Sequence, residues 1–255
     1  MQNYVISLTS ADQRRQHIEH EFNKHSIDFK FFDALTPQDA KPLAEKMQLD
    51  IHSERITGGE LACFMSHVSL WQKMLDENIP YMAIFEDDIF LGENSNQFLS
   101  SSDWLKEDWA IVKLEAFSNK ILLGKTEQIV NTSREIAVLK CKNLGTAGYI
   151  LSQKGAAAYL ELIKNYELIP LDEMMFEFYL NHGSLNIYQM LPALCIQEMM
   201  LFPEKKLALP SDLLQERKLR MKKFKKKGLT KFKAEISRII KQVKLLCAGK
   251  ILEFK

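Results

Sequence analysis

Three consecutive carboxylates, Glu86, Asp87 and Asp88, are the residues of this sequence best suited to chemistry. They repel one another, and no cation follows them before Lys106, so they need a compensating charge from elsewhere in the fold or from a bound ion. Carboxylate oxygens suit Mg²⁺ or Mn²⁺, and Mg²⁺ is usually held by one or two carboxylates together with substrate phosphates. The alternative is a solvated acidic turn, which is common for charged residues.

The segment before these carboxylates favours the first interpretation. Five apolar or aromatic residues, Tyr81 to Phe85, run without Gly or Pro and predict a strand that is buried on both faces. The carboxylates follow at its carboxyl end. In open α/β sheets, ligands bind beyond the carboxyl ends of the strands, so this position indicates a ligand site.

A second candidate site lies near the amino terminus. Residues 4–8 predict a strand, and Ser10-Ala-Asp-Gln13 fits the capping box that starts a helix. Arg14 and Arg15 follow in the first helical turns, where free N–H groups and guanidinium forks favour an anion such as phosphate. A surface helix with two solvated arginines is the alternative. The sequence contains neither G-x-G-x-x-G nor a Walker P-loop.

Two more predicted strands end in a carboxylate, and one turn is rich in glycine. Residues 28–34 form a strand that carries Asp33 at its end, and residues 110–115 form a strand that ends at Glu115. Residues 145–148, Gly-Thr-Ala-Gly, predict a turn where the backbone can approach a bound group closely.

Helical periodicity marks two further segments. Apolar residues recur at helical spacing over residues 61–75 and predict a packed helix, in which His67 is expected to be a hydrogen-bonded structural residue. Another helix opens near Asp172, which is either a site residue or simply an N-cap. Residues 36–55 are polar and predict a mobile excursion with a short helix at residues 43–47.

The formal net charge of +1 hides two regions of opposite sign. Residues 1–203 contain 17 basic and 28 acidic residues, whereas residues 204–255 contain 17 basic and five acidic ones. We therefore predict two units, a body at 1–203 and a basic amphipathic tail at 204–255. No stretch approaches 18 uninterrupted apolar residues, and no apolar leader is evident, so the protein is expected to stay in the cytoplasm.

The tail predicts attachment to an anionic membrane surface. Residues 217–233 are dense in Lys and Arg, and a helical apolar stripe follows at Ile236, Ile239, Ile240, Val243 and Leu246. Each basic residue near an anionic leaflet contributes on the order of 1 kcal/mol. Nucleic-acid binding is the competing interpretation, and the acidic body argues against it. Four widely spaced cysteines without a C-x-x-C pair indicate neither a zinc site nor a disulfide framework.

Seven separated blocks carry a resemblance to a known family. They are Asn3-Tyr-Val-Ile-Ser-Leu8 with Arg14 and Arg15, Phe32-Asp-Ala34, Gly59-Glu60 with Cys63-Phe-Met-Ser-His67 and Trp71, Phe85-Glu-Asp-Asp88, Gly145-Thr-Ala-Gly-Tyr149, Asp172 with Met174-Met-Phe176, and Pro192-Ala-Leu-Cys195 with Gln197-Glu198. In this order, over residues 1–203, the sequence resembles the bacterial lipooligosaccharide glycosyltransferases of family 25. In the tail only the basic character persists.

The resemblance implies a GT-A type α/β fold, with a mixed, mainly parallel central sheet flanked by helices. It implies inverting transfer of a hexose, most often galactose from UDP-galactose, onto a lipooligosaccharide core sugar, at the cytoplasmic face of the inner membrane. UDP-glucose or another UDP-hexose is the alternative donor. Mn²⁺ or Mg²⁺ would be held by Asp88 and Glu86, with Gln197 as a third ligand. The residues expected to bind the donor nucleotide are Ser7, Arg14, Arg15, Phe32, Asp33, Glu86, Asp87, Gly145 and Thr146.

Transfer of this kind needs two chemical functions. The cation neutralises the leaving diphosphate as a Lewis acid, and a carboxylate removes the proton of the acceptor hydroxyl. The base must lie on the far face of the sugar, so it is not part of the metal cluster. The candidates are Asp172, Glu115 and Glu173. We expect Asp172 to be this base, since it lies in a matched block at a helix start, with Glu115 as the second candidate.

Two other classes of protein use similar features. A hydrolase that acts on sugars with two carboxylates would release free hexose without an acceptor. A membrane adaptor without catalytic activity would use the tail as an anchor, but it leaves the acidic cluster after a buried strand unexplained.

Overall fold

The structure is a computed structural model, and it describes residues 1–52, 54–204, 239 and 242–255. In chain order its elements are β1 Gln2–Ser7, α1 Asp12–Lys24, β2 Lys30–Asp33, α2 Pro37–Lys46, α3 Gly58–Asp76, β3 Tyr81–Glu86, β4 Ile89–Leu91, α4 Ser95–Leu99, β5 Ile111–Lys113, β6 Lys120–Ile121, β7 Leu123–Gln128, β8 Glu135–Leu139, β9 Gly148–Ser152, α5 Gln153–Asn165, α6 Leu171–Glu173, a π-helical turn Met174–Phe178, α7 Tyr179–His182, β10 Tyr188–Leu191, β11 Cys195–Gln197, α8 Glu198–Leu201 and β12 Lys250–Ile251.

Eight of the strands form one mixed sheet in the order β2-β1-β3-β9-β5-β10-β8-β7. The β1–β2, β1–β3 and β5–β10 pairs are parallel, and the other pairs are antiparallel. Only β8 and β9 run against the other six strands, so the sheet is mainly parallel in direction. The α/β class predicted from the sequence is confirmed.

The parallel strands β1, β2 and β3 bring their carboxyl ends to one edge of the sheet. Ser7 at the end of β1 pairs with Asp33 at the end of β2, and Ile6 pairs with Glu86 at the end of β3. The polar residues at these strand ends are therefore neighbours.

Apolar side chains cover both faces of the sheet. On one face α3 buries Phe64 and Trp71 completely, and on the other face α1 buries Ile18 and Phe22 completely. The alternation along β1 follows from this arrangement, because successive side chains enter opposite clusters. The sheet thus has a packed layer on each side, and its site-bearing edge is held between α1 and α3.

One local prediction was wrong, one was met in part and one was met. The capping box expected at Ser10–Gln13 does not form, because α1 begins at Asp12 with Ala11 as a cap that makes no side-chain hydrogen bond. The short helix expected at residues 43–47 is present as α2 but begins earlier, at Pro37, after a capping box of Thr36 and Asp39, and it packs on α3. The strand expected at Tyr81–Phe85 is present as β3, and Asp87 and Asp88 follow it in a turn that leads into β4.

Most of the basic tail, including residues 217–233, Ile236 and Ile240, lies outside the described residues. Residues 242–248 are helical, and the side chains of Ile239, Val243 and Leu246 are 51–73% exposed. The end of the chain then returns to the body, where β12 pairs with β6 and Phe254 bridges to Ala193. The division at residue 204 stays a prediction.

No helix in the described part of the chain has the length and hydrophobicity needed to cross a membrane. The four cysteines are free thiols.

Candidate active site

The three consecutive carboxylates lie at the end of β3, where the chain turns into β4. Their side chains are largely withdrawn from solvent: Glu86 is 24% exposed, Asp87 is 9% and Asp88 is 12%. The strand that follows the turn, β4, is held in place because it pairs with β11, with Ile89 opposite Gln197. A solvated acidic turn is therefore excluded.

Asp87 is fully engaged with the protein. Its Oδ2 accepts a hydrogen bond of 2.6 Å from Ser7 Oγ, and its Oδ1 forms an ion pair with the Arg14 guanidinium. Burial lowers the pKa of Arg14, but the carboxylates of Asp87 and Asp88 outweigh it, so the pKa lies above its ordinary value. Arg14 therefore supplies part of the charge that the acidic cluster needs, and Asp87 is a positioning residue.

Asp88 remains only partly compensated. Arg14 Nη2 lies 3.8 Å from its Oδ2, and the Gln197 side-chain amide donates to its Oδ1 at 3.3 Å. Burial raises the pKa of Asp88, and Arg14 only partly offsets the effect. The charge balance around Asp88 favours an additional cation when the carboxylate is ionised.

Glu86 is the third acid and the least compensated. Its Oε1 accepts a hydrogen bond of 2.6 Å from Thr146 Oγ1 and lies 3.9 Å from His67 Nε2. Burial, followed by the charge of Asp88, raises the pKa of Glu86 to about 8. A carboxyl group with this pKa is mostly protonated at neutral pH, and a cation beside it would return it to the ionised form.

These residues fit a hard divalent cation. Glu86 and Asp88 provide carboxylate oxygens with incomplete counter-charge, and the amide of Gln197 lies beside Asp88. Mg²⁺ and Mn²⁺ prefer oxygen ligands, and Mg²⁺ is usually bound by one or two carboxylates, with substrate phosphates completing its coordination.

The remaining predicted nucleotide residues lie on the same sheet edge. Arg15 forms an ion pair with Asp33 and donates to the Ser7 carbonyl at 3.0 Å, so it links the ends of β1 and β2. The Asp33 side chain is 67% exposed, and Phe32 is half-buried against the core. The structure thus brings Ser7, Arg14, Arg15, Asp33 and the acidic turn together.

Residues 145–147 form the wall of the site next to Glu86. Gly145 has a φ of 87°, and a Cβ added there would lie 2.5 Å from Glu115 Oε2, so the position requires glycine. The Gly145 carbonyl accepts from Lys113, and the following Thr146 holds Glu86. The turn expected from the glycines is present, and the hydrogen bond from Thr146 to Glu86 joins it to the acidic cluster.

The two candidates for the catalytic base have different surroundings. Glu115 is completely buried, pairs with Lys113 Nζ at 3.0 Å and accepts from the Ala147 N–H at 3.1 Å. Burial raises the pKa of Glu115, and Lys113 opposes the shift. Glu115 is already neutralised by Lys113 within the core, so we do not retain Glu115 as a base.

Asp172 is 6% exposed and lies in α6, which packs against α3. Burial raises the pKa of the Cys63 thiol in α3, and the charges of Glu86, Asp172 and Asp88 raise it further, so Asp172 and the acidic turn act on the same thiol. Pro170 is the N-cap of α6, and Asp172 accepts from the Glu173 N–H at 2.9 Å. Asp172 is therefore not the N-cap, and its location suits a role at the site.

Sequence reasoning missed one buried network beside Glu86. His67 Nδ1 lies 2.7 Å from Tyr149 Oη, which also accepts from Trp71 Nε1 at 3.0 Å. His67 is completely buried, and burial lowers its pKa to about 3. One ligand atom each of Cys63, His67 and Glu86 lie within 4.8 Å of one another. The spacing of Cys63, His67 and Trp71, four residues apart along one helix face, was the available signal.

The sequence matches the family described as "Glycosyltransferase family 25 (LPS biosynthesis protein)" over residues 1–175. It is 40% identical over 236 residues to the lipooligosaccharide biosynthesis protein lic2B of Haemophilus influenzae, which covers 89% of this chain and 87% of that protein. It is 39% identical over 210 residues to the lacto-N-neotetraose biosynthesis glycosyltransferase LgtE of Neisseria gonorrhoeae, over 78% of this chain and 75% of that protein.

A solved glycosyltransferase, involved in the glycosylation of the major capsid of PBCV-1, aligns with 78% of this chain and 94% of its own at 9% identity and a TM-score of 0.40, a likeness that adds nothing to the assignment. The sequence matches decide it, since they span most of the chain and include the strand ends, the acidic turn and the start of α6. The chain belongs to glycosyltransferase family 25, and the protein is a glycosyltransferase.

Proposed function

We propose that the protein transfers a hexose, galactose from UDP-galactose, to a lipooligosaccharide core sugar with inversion at the anomeric carbon. The observation that carries this proposal is the acidic turn at the end of β3, with two under-compensated carboxylates beside Arg14 and the ends of β1 and β2. The relatives named for lipooligosaccharide and lacto-N-neotetraose biosynthesis support the acceptor class.

Each residue then has a role in donor binding. Asp88, Glu86 and Gln197 hold Mn²⁺ or Mg²⁺, which supplies Lewis-acid neutralisation of the leaving diphosphate. Ser7 and Arg14 fix Asp87, which keeps the acidic turn in place, and Arg14 also presents positive charge toward the donor phosphates.

The strand edge formed by Phe32, Asp33 and Arg15 binds the nucleoside part of the donor. Asp33 is the exposed member, and its carboxylate can accept from the ribose hydroxyls or from the uracil N–H, while Arg15 holds it through an ion pair. The turn at Gly145 and Thr146 lines the opposite side of the acidic cluster.

Asp172 removes the proton from the acceptor hydroxyl as that oxygen attacks the anomeric carbon. The bond from the anomeric carbon to the diphosphate breaks in the same step, through an oxocarbenium-like transition state. The basic segment after residue 204 attaches the enzyme to the anionic inner membrane, where its lipid-linked acceptor lies.

A transfer assay with a panel of UDP-hexoses and a lipooligosaccharide acceptor tests the proposal. We expect transfer from one UDP-hexose, loss of activity in EDTA, and recovery when Mn²⁺ is added in excess. Full turnover in chelator would show that the acidic turn is not a metal site. Release of free hexose at the same rate without acceptor would instead identify a hydrolase.

A further inference from the structure

The buried network of Trp71, Tyr149 and His67 fixes which nitrogen of His67 carries a hydrogen. The Trp71 indole N–H is only a donor, so Tyr149 Oη accepts from it at 3.0 Å. The Tyr149 hydroxyl hydrogen then needs an acceptor, and within the described residues His67 Nδ1, at 2.7 Å, is the group in place to accept it. His67 Nδ1 is therefore an acceptor, and the ring hydrogen is on Nε2.

The Nε2–H of His67 has no partner in the described part of the chain, although the side chain is completely buried. Its nearest carboxylate oxygen is Glu86 Oε1, at 3.9 Å, which is beyond hydrogen-bonding distance. A buried donor without an acceptor costs about 1–3 kcal/mol. Such groups are rare in folded proteins, and a water or a ligand group that accepts the hydrogen completes the bond.

The gap between His67 Nε2 and Glu86 Oε1 matches one hydroxyl group. An oxygen about 2.8 Å from each atom would accept from the imidazole N–H and donate to the carboxylate. A sugar hydroxyl does both, whereas a phosphate oxygen only accepts and would be repelled by Glu86. A metal ion at Cys63, His67 and Glu86 would need the Nε2 lone pair, which the Tyr149 contact does not leave available.

We propose that one hydroxyl of the transferred hexose bridges His67 Nε2–H and Glu86 Oε1, which makes His67 a residue that determines donor specificity. This inference rests on the proposed function, because it places the hexose of a UDP-sugar beside the acidic turn. A site built to bond a hydroxyl discriminates strongly against a sugar that lacks it.

Two variants of His67 separate the bond from the packing. In His67→Asn the amide reaches the Nδ1 position and can keep the Tyr149 contact, but nothing replaces Nε2–H. In His67→Gln the amide reaches the Nε2 position and can supply the donor. The test compares kcat/KM of both variants and the native enzyme for the preferred UDP-hexose and for its 2-, 3-, 4- and 6-deoxy analogues.

We expect His67→Asn to lower kcat/KM for the intact donor about 10- to 100-fold, as the loss of one buried hydrogen bond predicts, and His67→Gln to recover most of it. For one deoxy analogue, native enzyme and His67→Asn should differ by less than about twofold, because that sugar lacks the bridging hydroxyl. An equal penalty on every analogue would overturn the proposal, because the partner of the His67 Nε2–H would then be an ordered water or Glu86 itself.

Two further measurements keep the test decisive. Tyr149→Phe frees Nδ1 and should give an intermediate loss with the same dependence on the analogue, which covers the case in which His67→Asn does not fold. Binding of Co²⁺ with a thiolate charge-transfer band that disappears in Cys63→Ser would overturn the proposal in favour of a metal. If the native enzyme transfers no UDP-hexose, the proposed function itself fails.

Discussion

At the scale of single residues, the site works because neighbouring carboxylates are compensated to different degrees. Asp87 is saturated by Ser7 and Arg14, whereas Asp88 and Glu86 keep raised pKa values because burial is incompletely offset. One acid of the triplet therefore holds the turn, and two remain for a cation. The sequence alone presents three equivalent acids, and only their partners distinguish them.

Asp172→Asn tests the base at this scale. We expect it to lower the transfer rate by a factor of about 10²–10⁴, the usual contribution of a general base, while the affinity for UDP with Mn²⁺ changes little. The reason is that the amide keeps the size and position of the side chain but cannot accept a proton. The measurements are single-turnover transfer and calorimetric titration of UDP.

Glu173→Gln is the matched control, because it removes the neighbouring charge from the same helix start. It should keep transfer within about threefold of the native rate, as expected for a residue that takes no proton. Near-native turnover of Asp172→Asn would exclude this residue as the base.

At the scale of elements, the site depends on how closely β3, β9 and β11 approach one another. Gly148 begins β9 beside Phe85 of β3, and a Cβ added to it would lie 2.2 Å from Cys195 Sγ in β11. Glycine is required here because any larger residue would collide with the Cys195 side chain. The backbone of Gly148 is paired in the sheet opposite Phe85. Residues far apart in sequence thus set the position of the acidic turn.

Gly148→Ala should therefore destabilise the protein by about 1–3 kcal/mol through overpacking. For a chain of this size each kcal/mol lowers the melting temperature by roughly 2–4 °C. Cys195→Ala removes the sulfur that the new methyl group meets, so the double variant should melt above Gly148→Ala alone. All three variants are compared by thermal denaturation. If the loss in the double variant equals the sum of the losses in the two single variants, the Gly148–Cys195 contact is not the cause of the destabilisation.

Local patterns predicted most of the elements but not their partners. The apolar run at Tyr81–Phe85 and the helical spacing around Trp71 were sufficient to predict β3 and α3, because burial alone produces those patterns. The pairing of Arg14 with Asp87 and the ion pair of Lys113 with Glu115 depend on chain topology, which spacing does not encode. For the same reason Glu115 looked like a strand-end acid and proved to be a core residue.

At the scale of the whole molecule, charge is divided between an acidic body and a basic segment. The end of the chain is attached to the body, since Arg134, which is buried, donates to the carbonyls of Pro192, Ala193, Glu93 and Lys255. The basic segment is consequently joined to the body at both of its ends. Membrane attachment through it would hold the body at a limited distance from the lipid surface.

Attachment to a membrane is expected to depend on the lysines of the basic segment. Replacing Lys225, Lys226 and Lys227 with Gln should weaken binding to vesicles that contain anionic lipid by about 100-fold, because each lysine contributes on the order of 1 kcal/mol. Co-sedimentation with vesicles measures the change, and vesicles of neutral lipid should bind neither form. The matched control replaces three exposed lysines of the body, Lys24, Lys41 and Lys125, whose side chains are 57–78% exposed. It makes the same change in net charge, so an equal loss in both variants would show that overall charge, and not the basic segment, governs attachment.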